Sequence, residues 1–165
     1  MFEFLPMAVA ILAGIIHFGP QNPQDPGVQF RARFDRETDP LHKAQLMPRF
    51  GEVEFQDAQE AIIQEDLPKA VEILKQYRDQ ARSLGKILDG KVADPEKHPS
   101  GFKQLQISVR ESLRRISDII HSLPGDDQKP FLEIRKDLDE LDRHLVRELF
   151  PRQPPADPVP AGPKS

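Results

Sequence analysis

The chain has 165 residues and no cysteine, and its formal net charge is −4. This length leaves room for one folded domain, and the lack of cysteine excludes disulfides, a thiolate nucleophile and a cysteine-ligated metal. The 23 basic and 27 acidic residues offer no basic surface, so we expect no nucleic-acid partner.

An apolar segment, residues 4–18 (FLPMAVAILAGIIHF), lies close to the N-terminus. It is shorter than the roughly 20 residues of a membrane-spanning helix and has the length of a signal-peptide core. No Lys or Arg precedes it, and its small residues Ala8 and Ala10 lie in the middle rather than at its end. We therefore predict that residues 1–18 are a membrane anchor or signal segment, and we favour an anchor that is not cleaved.

The sequence leaves two alternatives for the side of the membrane on which the rest of the chain lies. Arg31, Arg33 and Arg36 are the first basic residues, and they follow the apolar segment. The positive-inside rule alone would keep the following chain in the cytoplasm. Cleavage of the segment would instead release the domain.

Proline-rich and turn-rich stretches border the central part of the chain on both sides. The run from Gly19 to Gly27 (GPQNPQDPG) favours turns, and we predict a flexible linker over residues 19–38. The spaced prolines of residues 151–165 predict a disordered tail. The folded domain is expected over residues 39–150.

The first helix of this domain is predicted to begin at Asp39 and Pro40, which are a typical N-cap and first helical residue. Loosely spaced apolar residues follow. Pro48 removes a hydrogen-bond donor, and Gly51 comes soon after it. We therefore expect a kinked or split helix that ends near Glu65.

Three later stretches carry apolar residues at alternating spacings of three and four, which predicts one buried face on each of three long helices. We call these faces the apolar seam, with Ser112 as its one polar member. The seam comprises Leu67, Ala70, Leu74, Tyr77, Ala81, Leu84 and Leu88; Phe102, Leu105, Val109, Ser112, Ile116, Ile119 and Leu123; and Phe131, Ile134, Leu138, Leu141, Leu145 and Leu149.

Each of the three long helices has predicted ends. The predicted helices are Leu67 to about Asp89, capped by Asp66 and stopped by Gly90; Gly101 to Leu123, capped by Ser100; and a last helix to Phe150, capped by Asp126 or Asp127. The fold class is thus all-α. We expect an antiparallel up-and-down bundle of three long helices plus a shorter kinked N-terminal helix.

The sequence assigns no catalytic, cofactor-binding or metal-binding residue, and we expect no cofactor. Helical bundles hold di-metal sites through paired Glu-x-x-His motifs. Here Asp118-x-x-His121 and Glu140-x-x-x-His144 each occur once and depart from that motif. They support only a second hypothesis, a small helical-bundle metal-binding protein or enzyme that uses His121, His144 and nearby carboxylates.

The run Asp66-Leu67-Pro68-Lys69-Ala70 resembles the turn of a tetratricopeptide repeat, which implies a helical hairpin. The domain as a whole resembles uncharacterised bacterial helical proteins that are exported behind an N-terminal apolar segment. The residues that carry this second resemblance are Asp39-Pro40 with Lys43-Ala44, Asp66-Leu67 with Lys69-Ala70, GFKQLQI over 101–107 with Arg110, and Leu149-Phe150-Pro151. The resemblance implies a helical domain outside the cytoplasm.

The preferred hypothesis is a non-enzymatic helical interaction or scaffold module tethered at the cell envelope. Its expected partners are the membrane, through residues 4–18, and another protein. The bundle is expected on the exported side. The sequence leaves the identity of the protein partner and the oligomeric state open.

Overall fold

The structure, a computed structural model, describes residues 25–151. The predicted membrane segment 1–18, the linker residues 19–24 and the tail residues 152–165 lie outside the described residues. The described part forms five α-helices and has no β-strand, which confirms the all-α class. The helices are α1 (Pro26–Arg36), α2 (Pro40–Ile63), α3 (Leu67–Lys91), α4 (Ser100–Ser122) and α5 (Lys129–Leu149), with a short 3-10 helix at Gly125–Gln128.

Within residues 25–151, none of the helices combines the length and the hydropathy that a membrane span requires. The predicted apolar segment falls before this range.

The apolar seam forms the core, as predicted. All of its members are buried except Leu67 and Leu123, which lie at helix ends and are half-buried. Residues of α1 and α2 join the same core, among them Phe34, Met47 and Phe55.

The first long helix differs from the prediction. Of the predicted alternatives, a kinked or a split helix, the split is wrong, because α2 is one uninterrupted helix of 24 residues, close in length to the 25 of α3. Pro48 lies inside it with an exposed ring, and Gly51 is buried. Packing of the apolar face of α2 outweighs the local cost of proline, since tertiary contacts supply most of the stability of a helix. The domain therefore has four long helices rather than three.

The linker predicted over residues 19–38 also differs, because residues 26–36 form α1. Asp25 caps this helix by accepting a hydrogen bond from the Gly27 amide at 2.7 Å, and Pro26 is its first residue. Phe34 is fully buried, so α1 is packed onto the domain rather than free of it. Asp25-Pro26 has the same N-cap and first-residue pattern as Asp39-Pro40. A helix was not predicted there because the surrounding residues favour turns.

The predicted caps are confirmed at two helices. Asp39 accepts a hydrogen bond from the His42 amide at 2.7 Å, and Asp66 accepts one from the Lys69 amide at 3.1 Å. Both carboxylates thus satisfy amides of the first helical turn that have no partner within the helix.

The other predicted helix ends differ from the observed ones by one or two residues, and the other predicted caps are wrong. Ser100 is the first residue of α4 rather than its cap, and no side-chain hydrogen bond caps that helix. Asp126 and Asp127 belong to the 3-10 helix and do not cap α5. Gly90 lies within α3, which continues to Lys91.

The four long helices form a ring of neighbours in the order α2, α3, α5, α4. In this ring α3 and α5 run parallel, because Arg78 meets Asp137 at 3.1 Å and Asp89 meets His144 at 2.9 Å nearer their C-terminal ends. Consecutive helices α3 and α4 contact each other less extensively than either contacts α2 or α5. This order differs from a simple up-and-down bundle, in which consecutive helices are ring neighbours.

Truncation of the core at Leu74, Ile116 or Leu138 to Ala is expected to lower the free energy of unfolding by about 2 to 5 kcal/mol each. All three side chains have no exposed surface, so each substitution leaves a cavity. Urea unfolding followed by circular dichroism measures the loss. The control is Ile63→Ala, because the Ile63 side chain is 82% exposed. This variant should change the free energy of unfolding by no more than about 0.5 kcal/mol. Losses near zero at all three core positions would show that the core is misassigned.

Candidate functional site

The two histidines of the second hypothesis do not come together. His121 is exposed near the end of α4. Helices α4 and α5 are antiparallel, since Arg135 bonds to Ser117 and Gln106 to Asp142. At 1.5 Å per residue, His144 therefore lies about 20 Å from the level of His121 along the helix axes.

His144 has a partner that the sequence did not reveal. Its Nε2 lies 3.0 and 2.9 Å from the two carboxylate oxygens of Asp89 on α3. Glu148, one turn further along α5, is 3.9 Å from His144 Nδ1. No group of three metal-ligating side chains is arranged to hold a metal within residues 25–151. The Asp89–His144 pair links two parallel helices at a partly exposed position.

The centre of the domain holds a small polar cluster, which consists of Tyr77, Ser108 and Ser112. The Tyr77 hydroxyl oxygen lies 2.7 Å from Ser112 Oγ and 3.1 Å from Ser108 Oγ. Ser112 also donates to the backbone carbonyl of Ser108 at 2.9 Å, a bond to the preceding turn of its own helix. Burial raises the pKa of Tyr77, so its hydroxyl stays protonated and remains a donor.

Aromatic rings extend from this cluster to α1. The Tyr77 ring meets Phe55 edge-on with centroids 5.6 Å apart and stacks on Phe50 at 6.1 Å. Phe50 in turn stacks on Phe34 of α1 at 4.1 Å. A Cβ at Gly51 would lie only 3.1 Å from the Tyr77 ring, so glycine allows this close approach of α2 and α3.

An ion-pair cluster fastens the other face of α1 to α2. Arg31 bonds to Glu54 and, at 2.6 Å, to Asp57. Glu54 is only 3% exposed. Burial raises the pKa of Glu54, and the bond to Arg31 offsets part of this rise. Desolvation lowers the pKa of Arg31, but its bonds to Glu54 and Asp57 outweigh this and raise it overall. This cluster holds α1 against α2, and the charges of Arg31, Glu54 and Asp57 are paired with one another.

A groove of about 930 Å³ lies at the end of the domain where α2 begins, α3 ends and α4 begins. It is much larger than the cavity of about 340 Å³ beside Arg31. Its lining residues are Leu41, Lys91, Val92, Ala93, Asp94, Lys97, His98, Pro99, Ser100, Lys103 and Gln104. Most of them are exposed, and Leu41 is a large apolar side chain that is 39% exposed.

The loop of the groove is folded around Asp94. The Asp94 carboxylate accepts a hydrogen bond from the Lys97 amide at 3.1 Å and forms an ion pair with Lys97 Nζ at 3.0 Å. The backbone carbonyl of Asp94 accepts a hydrogen bond from the His98 amide at 3.0 Å. The hydrogen bonds from Lys97 hold the pKa of Asp94 below its usual range. The loop between α3 and α4 therefore has a defined turn on which Lys97 is already paired.

Two other lysines of the groove, unlike Lys97, have no ion-pair partner within residues 25–151. Lys91 and Lys103 are exposed, and no ion pair or hydrogen bond of their side chains forms within residues 25–151. Gly101 brings the start of α4 close to both neighbouring helices, because a Cβ there would lie 2.8 Å from Leu41 and 2.9 Å from Leu88. The groove thus combines apolar lining residues with two lysines that have no partner within residues 25–151, in a chain whose net charge is negative.

Sequence reasoning did not identify this groove. Its residues are divided between the ends of three helices and a loop, and no periodic pattern links them. The available signals were Gly101 at a helix start and the three lysines, against two acidic residues, over residues 91–103.

Comparison of the chain with protein-family models, with curated proteins and with solved structures yields no match.

Removal of the Arg31 side chain by Arg31→Ala is expected to cost about 1 to 3 kcal/mol at neutral pH, because the buried Glu54 carboxylate loses its partner. The pKa of Glu54, already raised by burial, rises further without Arg31. A carboxyl with a raised folded pKa is destabilising once it ionises, so the loss grows as pH rises above the ordinary value of 4.5.

Urea unfolding of the wild type and the variant at about pH 5 and about pH 8 measures this difference. The double variant Arg31→Ala/Glu54→Gln should be less sensitive to pH than Arg31→Ala. The control Arg49→Ala removes an exposed pair with Glu52 and should cost less than about 1 kcal/mol at either pH. An equal loss for Arg31→Ala at both pH values would contradict this account of Glu54.

Proposed function

We propose that the protein is a non-enzymatic helical interaction or scaffold module, tethered at the cell envelope through residues 4–18, that binds another protein at the groove between the ends of α2, α3 and α4. The groove is the single observation on which this proposal mainly rests. It combines an exposed leucine, a volume of about 930 Å³ and unpaired lysines. Protein-binding surfaces typically have an apolar centre and a polar border.

The interior of the domain supports the same proposal. Among residues 25–151, no buried side-chain nitrogen or oxygen lacks a hydrogen-bond partner. The central polar residues Tyr77, Ser108 and Ser112 bond to one another. These contacts make the interior a preformed support, and a preformed support loses little conformational entropy when its surface binds a partner.

The envelope location is part of the proposal and rests on the sequence. The apolar segment over residues 4–18 supplies the tether, and the resemblance to exported bacterial helical proteins favours the outer side of the membrane. Helix α1 is fastened to the domain by Phe34 and Arg31, so a tether that precedes residue 25 would join the folded domain at α1.

A photo-crosslinking amino acid at Leu41 in the full-length chain tests the binding site in intact cells. We expect Leu41 to yield a crosslink to one discrete protein, because its side chain lies in the groove. Ile63 is the matched control, since it is an exposed apolar residue on the same helix, α2, at the opposite end. Equal crosslinking of the same protein from both positions, or none from Leu41, would overturn the proposal.

A further inference from the structure

The groove has a charge that its binding partner must complement. Lys91 and Lys103 both line it, on the last turn of α3 and the first turn of α4. The one acidic lining residue, Asp94, is already paired with Lys97. The charge that remains on the lining is that of Lys91 and Lys103 and is positive, whereas the formal net charge of the whole chain is −4.

The lining of the groove also has apolar members. Leu41 is part of the lining together with Val92, Ala93 and Pro99, and this end of the domain is fixed by the close contact of Gly101 with Leu41 and Leu88. An occupant therefore gains most by burying an apolar side chain against these residues and placing negative charges towards the two lysines.

We propose that the groove binds an acidic protein segment in which an apolar side chain is flanked by carboxylates that pair with Lys91 and Lys103. This inference rests on the proposed function and adds the chemistry of the partner. A lipid headgroup would also supply negative charge. The observations favour a peptide, because one short segment can place an apolar side chain against Leu41 and carboxylates beside both Lys91 and Lys103.

The test uses the full-length chain and three labelled probes: a short peptide whose leucines are flanked by glutamates, the same peptide with lysines in place of the glutamates, and a short-chain phosphatidylglycerol. Fluorescence anisotropy measures their binding. The acidic peptide should bind, more weakly as the salt concentration rises. Binding of the basic peptide to the same extent, or binding of the lipid probe without the acidic peptide, would overturn the inference.

Charge reversal locates the binding site. The double variant Lys91→Glu/Lys103→Glu should weaken binding of the acidic peptide by about tenfold. The control Lys75→Glu reverses another exposed lysine of α3 that lies outside the groove, and it should leave the affinity within about twofold. Circular dichroism checks that each variant is folded. Equal effects of the double variant and of the control would overturn the inference.

The same double variant separates this inference from the proposed function. If the crosslink from Leu41 persists unchanged in the double variant, the groove binds a protein without the predicted charge pairing, and only the inference fails. If the wild-type chain gives no specific crosslink from Leu41, the proposed function fails.

Discussion

The packing of the domain depends on one side chain, Tyr77, which is placed where three helices approach one another. Its ring fills the space opposite Phe50 and Phe55 of α2, and its hydroxyl reaches the serines of α4. A buried hydroxyl without a partner costs about 1 to 3 kcal/mol, so the position of α4 must supply an acceptor and a donor there. The close approach also requires glycine at position 51. Tyr77 therefore fixes the spacing of α2, α3 and α4 at once.

The groove lies at one end of the same three helices. It is found between the start of α2, the end of α3 and the start of α4, which are the three helices that Tyr77 joins. Residue 91 is about 21 Å along α3 from Tyr77, at 1.5 Å per residue. The contacts that hold the helices together at the groove are therefore local ones, because Gly101 lets the start of α4 approach Leu41 of α2 and Leu88 of α3.

The periodic features of the fold could be predicted from the sequence and the others could not. The apolar seam is repeated over many turns, so its buried members and the caps Asp39 and Asp66 followed from spacing alone. The continuity of α2 through Pro48 depends on tertiary packing, which outweighs a local signal. The ring order of the helices depends on the α3–α4 connection, and no local pattern encodes it. The groove likewise joins distant residues, and its visible signals were Gly101 at a helix start and the three lysines at positions 91, 97 and 103.

The central claim is that the Tyr77 hydroxyl couples α3 to α4, and a double-mutant cycle tests it most directly. The free energies of unfolding of Tyr77→Phe, Ser112→Ala and the double variant should reveal a coupling of about 1 kcal/mol, because the two groups share one hydrogen bond. The pair Tyr77→Phe and Ser117→Ala is the control, since Ser117 on the same helix bonds to Leu113 and Arg135, and it should be additive within about 0.5 kcal/mol. Additive losses for Tyr77 and Ser112 as well would contradict the account.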